Sequence, residues 1–81
     1  MIIKMELLEL APSRKARIAS FRDGLREEFR RRLEDLGFCR GASIELLRKI
    51  PFGGPRVYRV CDAVFSIEPD IARHILIEYE T

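Results

Sequence analysis

Few side chains in this sequence could do chemistry. Cys39, Cys61, Asp70 and His74 carry donor atoms that suit a transition metal. Protein metal sites, however, draw on closely paired ligands, and these four stand at irregular intervals with no paired motif. No resident metal and no cofactor is expected from them. Two cysteines are also too few for the disulfide frameworks of small secreted domains, so both read as reduced thiols. His74 is the only histidine, and side-chain hydroxyls outside tyrosine are confined to Ser13, Ser20, Ser43, Ser66 and Thr81. That is too little to assemble a nucleophile, a base and an orienting group, so catalysis is not expected.

Arginine is the better-supplied resource. Fifteen basic residues face thirteen acidic ones, and twelve of the fifteen are Arg, the side chain suited to bidentate pairing with carboxylates and phosphates. Arg31 and Arg32 follow Glu27 and Glu28 at a spacing of four, which on a helix gives ion pairs worth only ~0.3 kcal/mol each. The pair reads either as a solvated, internally neutralised face or as a dock for an acidic partner surface. Interleaved acids and a net charge of +2 argue against a stable nucleic-acid partner. Phe52 stands in the loop Pro51-Phe52-Gly53-Gly54-Pro55. There it would either cap one end of the core or project as an anchor for a protein partner. Arg48, Arg56 and Arg59 flank this loop, as a basic rim or as ordinary solvation of a sheet.

These side chains need elements to hold them, and the length limits what is available. Eighty-one residues, 47% hydrophobic and 35% charged, make one small globular domain (1–81) and exclude a two-domain enzyme. No apolar run approaches the ~20 residues of a bilayer crossing, so no direct membrane insertion is expected. The first residues resemble neither a secretory signal nor a transit peptide, which makes the cytoplasm the default compartment.

Leu25, Phe29, Leu33 and Leu36 fall on one stripe of an amphipathic helix, with Asp23-Gly24 marking its start. Gly37 and Phe38 predict a Schellman ending in which Phe38 folds back on Leu33. Ser43–Ile50 alternates as a strand with Ile44, Leu46 and Ile50 on one face. Arg56–Cys61 and Val64–Ile67 form a hairpin through Asp62-Ala63, and Ile75–Tyr79 is a last strand. Pro69 opens a short second helix. Ala16–Phe21 reads as the first strand. About five short strands and one real helix suit a small closed or partly closed barrel, mainly β, filled by side chains. Function must then lie on its surface.

Several blocks taken together resemble the FeoA family. They are Leu8-Glu9-Leu10-Ala11-Pro12, Ala16-Arg17-Ile18, Arg31-Arg32-Leu33-Glu34-Asp35-Leu36-Gly37-Phe38, Gly41, and Ile50-Pro51-Phe52-Gly53-Gly54-Pro55. The resemblance covers roughly residues 7 to 79. It implies an SH3-like barrel with an inserted helix, and a non-enzymatic cytoplasmic partner of the ferrous-iron transporter FeoB that supports or regulates Fe(II) uptake. Contact would be with the transporter's cytoplasmic G-protein part. Iron would be handled by that partner, and self-association into a homo-oligomer is compatible with the reading. The same module forms the C-terminal domain of DtxR-type metal-dependent repressors, which gives a regulatory module as the alternative, although no helix-turn-helix precedes it here. Two positions depart from the family pattern. Ser13 follows Pro12 where glycine is common, a change the turn tolerates if its φ is negative, and Glu68 stands where arginine is common.

Overall fold

Alternating apolar and polar residues commit much of this chain to strands. The computed structural model describes residues 1–81 as β1 (Ile2–Glu6), a single 3-10 turn (Leu7–Glu9), β2 (Lys15–Phe21), α1 (Glu27–Asp35), β3 (Ser43–Lys49), β4 (Arg56–Val60), β5 (Ala63–Ile67), α2 (Pro69–Ala72) and β6 (Ile75–Glu80). All six strands join one antiparallel sheet in the order β1-β6-β2-β3-β4-β5. The sheet curls around a core in which Ile18, Ile44, Leu46, Tyr58, Ile75 and Ile77 are almost fully enclosed, and no charged side chain is buried. This is the mainly β barrel expected, with six strands instead of about five.

The sixth strand corrects the assignment of Ala16–Phe21 as the first. Ile3-Lys4-Met5-Glu6 does alternate, with Ile3 and Met5 half-buried, but over only four residues, too short a pattern to mark β1 by itself. Its conformation comes from pairing with β6, in register from Ile2 opposite Glu80 to Glu6 opposite Leu76. That pairing joins the two ends of the chain, and local periodicity cannot report it.

Helix α1 ends as its sequence requires. Gly37 takes a φ of +112°, its N–H donates to the Glu34 carbonyl, and the Phe38 N–H donates to the Leu33 carbonyl at 2.9 Å. These are the two bonds of a Schellman motif, and Phe38 beyond them is fully buried against Phe65, with ring centroids 5.3 Å apart. The start of the helix falls later than expected. Gly24 lies at φ +100°, outside the extended conformation of a helix N-cap, so Asp23-Gly24 forms a turn and Arg26 becomes the N-cap. Leu25 is left outside the helix. The stripe is corrected too: Leu33 is buried, but Phe29 is 40% and Leu36 46% exposed. A helix of nine residues has about two and a half turns and rests on the barrel through one of them.

Two hairpin details also differ. The register shifts between Leu46 and Arg48, so the alternation that buries Ile44 and Leu46 does not reach Ile50, which is 36% exposed. The β4–β5 turn is Cys61-Asp62, because Val60 pairs directly with Ala63, and Cys61 takes a φ of +55°. Ser13 lies at φ +65°, not at the negative angle expected for a tolerated glycine replacement; its N–H donates to the Leu46 carbonyl.

Candidate functional site

With the barrel interior filled, the surface holds what the chain can offer a partner, and the five expected contact residues divide between two places. Arg48, Phe52 and Arg56 come together on the β3–β4 hairpin. Arg31 and Arg32 lie apart from it on α1.

The hairpin is built by its loop. The Ile50 N–H donates to the Pro55 carbonyl and the Gly54 N–H to the Pro51 carbonyl, which leaves Phe52 and Gly53 at the apex. Both apex residues have positive φ, +61° and +74°, as a type I′ turn demands. Glycine accepts this readily, whereas a bulky side chain does so rarely. Of the two readings of Phe52, the structure selects projection: the ring is fully exposed, as open as in an extended chain, and caps nothing. Behind it Lys49 and Arg56 are direct cross-strand partners, and Arg48 pairs with Val57. None of these three cations holds a carboxylate, whereas Arg59 sits 3.6 Å from Glu45. The Nε atom of Arg56 is buried without an acceptor.

Arg56 also faces the inside of the barrel end. Burial pushes the Tyr58 hydroxyl up to about 12, and the Arg56 guanidinium pulls the other way. The Tyr58 hydroxyl donates to the Leu7 carbonyl at 3.4 Å.

The α1 surface differs in kind. Glu27 and Arg31 form the expected pair at 3.5 Å, but Glu28 pairs with Arg26 and leaves Arg32 without a carboxylate. Arg32 borders a groove of about 180 Å³ between α1 and the β5–α2 segment, lined by Phe29, Leu36, Ile71 and Glu68 among others. Phe29, which sequence reasoning assigned to the core, is the missed member of this surface. No local signal marks it, because helical periodicity gives Phe29 the same stripe as the buried Leu33. Glu68 supplies the groove's acidic rim.

The potential metal donors do not converge. No three side chains of His, Cys, Asp or Glu gather at one point. The Asp70 carboxylate accepts from Arg73 at 2.8 Å, the Asp70 carbonyl accepts from Nδ1 of His74 at 2.8 Å, and both cysteines are exposed and free. This donor set does not fit a resident metal.

Comparison with known proteins gives these surfaces a context. A family model described as the FeoA domain matches residues 5–79. The chain is similar to the FeoA protein of Chlorobium tepidum at 30% identity and a TM-score of 0.86, over 95% of this chain and 71% of that one. It is similar to Stenotrophomonas maltophilia FeoA, solved with zinc and described as a procaryotic SH3 domain protein. That match has 26% identity and a TM-score of 0.79, over 94% and 96% of the two chains. A manganese-dependent transcriptional repressor shares the fold alone, with 14% identity and a TM-score of 0.82 over 95% of this chain and 42% of that one. No curated protein matches the chain in sequence.

Proposed function

Because the chain belongs to the FeoA domain family, we propose that it is a non-enzymatic, cytoplasmic accessory protein of an FeoB-type ferrous-iron transporter, docking on the transporter's cytoplasmic G-protein part to support or regulate Fe(II) uptake. The observation that carries the docking is on α1. Phe29 and Leu36 stand in solvent on either side of Leu33 and flank an apolar groove with the unpaired Arg32 at its edge. Apolar anchors beside an arginine are the composition of an interface hot spot, and half-exposed side chains of this kind gain most when a partner removes them from water. Arg31, held by Glu27, lies on the same helix outside the groove's lining. Arg48, Phe52 and Arg56 form a separate surface on the hairpin, apart from this groove. The proposed role calls for no catalytic step and no cofactor. Likeness to the repressor is one of fold only, and no residue on either surface favours the regulatory-module reading.

Capture of the transporter's cytoplasmic part by the immobilised full chain tests this. Recovery is expected with the native chain and is expected to fall at least tenfold for Leu36→Glu, which places a carboxylate in the apolar groove. Recovery that is absent with the native chain, or unchanged by Leu36→Glu, overturns the reading.

A further inference from the structure

We propose that the β3–β4 hairpin is a membrane-docking element whose Phe52 tip enters the interface of a bilayer rich in anionic lipid. The argument begins with the order of side chains along the hairpin. Residues 50 to 55, Ile50-Pro51-Phe52-Gly53-Gly54-Pro55, carry no polar side chain at all, and the first residues on either side of them are Lys49 and Arg56. These two stand opposite each other on one rung, with Arg48 just behind. From 46 to 61 the chain has four basic residues and no acidic one, leaving eleven basic against thirteen acidic residues elsewhere. Arg59 is paired with Glu45 on the same hairpin, so the arm's unpaired positive charge is that of Arg48, Lys49 and Arg56, next to an outermost end that is apolar.

A protein pocket does not require such an axial separation, but a bilayer does. Its polarity changes along the normal, from acyl chains to phosphates within a few ångströms. Three rungs of hairpin separate the Phe52 apex from the Lys49–Arg56 rung, about 10 Å at the ~3.3 Å rise of a strand. An apolar face enters the headgroup and acyl boundary to a depth of about 5–10 Å, so a buried Phe52 ring sets the cations at the level of the phosphates.

The backbone suits the same place. Within the tip, two prolines have no N–H and the N–H groups of Ile50 and Gly54 donate inside the loop, so only those of Phe52 and Gly53 lack backbone acceptors. The tip is also held in advance. Gly54 packs so closely under Ile50 that a Cβ there would lie 2.8 Å from Ile50 Cγ2. Like charges on one rung repel, so an anionic surface relieves a cost already present in the free protein. The expectation of no membrane insertion concerned spanning segments, and no helix here is long and apolar enough to cross a bilayer. A hairpin tip enters only the near leaflet.

The native chain has no tryptophan, so Phe52→Trp places a unique reporter at the apex. Phe52 touches no core residue, and circular dichroism of each variant checks the fold. The probes are vesicles of phosphatidylcholine alone and vesicles with about one-quarter phosphatidylglycerol. We expect the indole emission to shift to shorter wavelength with the anionic vesicles only. Cosedimentation of the otherwise native chain is expected to fall about fivefold for each of Arg48→Gln and Lys49→Gln, and further for Phe52→Ser. A Val64→Trp chain, whose indole stands on the exposed edge strand, is expected to show no shift. Cosedimentation without any shift at position 52 would mean electrostatic adsorption and would overturn the proposal. So would capture of the transporter's soluble cytoplasmic part, in the absence of lipid, that is lost on Phe52→Ser.

Discussion

Tyr58 and Leu7, 51 residues apart in sequence, meet inside the barrel, where the Tyr58 hydroxyl donates to the Leu7 carbonyl oxygen at 3.4 Å. The bond ties strand β4 to the 3-10 turn that follows β1, and both residues are fully enclosed. Its consequence is a specific alkaline limit. Burial raises the Tyr58 hydroxyl from its ordinary value of 10.0 to about 12. The folded protein therefore keeps a proton that the unfolded chain releases. The associated stability is fully present below pH 10 and is lost as pH rises towards 12. Melting temperature is expected to drop across that window in the native chain. In Tyr58→Phe the drop is expected to be smaller, while stability at neutral pH falls by about 1 kcal/mol for the lost hydrogen bond. The Leu7 carbonyl still accepts from the Leu10 N–H in that variant, so no acceptor is orphaned.

Helix α1 is expected to separate fold from contact. Leu33→Ala removes a buried side chain at the Schellman ending and should cost about 2–4 kcal/mol in denaturant unfolding. Leu36→Ala, half in solvent, should cost less than about 1 kcal/mol yet lower recovery of the transporter's cytoplasmic part. Equal losses of stability in the two variants would place Leu36 in the core and move the contact elsewhere.

Three residues hold left-handed backbone that glycine or asparagine would adopt more readily, Ser13 at φ +65°, Phe52 at φ +61° and Cys61 at φ +55°. Ser13→Gly and Phe52→Asn are each expected to stabilise the protein by about 0.5–1 kcal/mol, read as a higher urea midpoint with an unchanged slope. Only Phe52→Asn should impair binding to anionic vesicles. A stability gain joined to a loss of function is the pattern of a strained residue retained for contact.

The scattered donors Cys39, Cys61, Asp70 and His74 set a further expectation: after gel filtration, elemental analysis should find less than one iron or zinc per chain. A stoichiometric metal that disappears with Cys61→Ser or His74→Gln would show that donors separated in the monomer are brought together by another means, such as a second copy.

Local physics made much of this molecule readable before its fold was known. Gly37 followed by Phe38 dictates how α1 ends, because glycine reaches the required positive φ and the phenyl ring has a leucine to fold onto. Pro69 opens α2, and the paired prolines and glycines of 51–55 allow only a loop. Other features depended on residues distant in sequence. Strand β1 exists because the two chain ends pair, and Ile50 leaves the core because a register shift near Leu47 breaks the alternation. Phe29 and Leu36 share a stripe with Leu33, and helical periodicity is blind to whether anything lies beneath it. Only the position of the nine-residue helix on the barrel decides that one of the three is core and two are surface. The same holds for Phe52. Its loop was visible in the sequence, but its projection was fixed by two hydrogen bonds that close the hairpin behind it and leave the ring no neighbour.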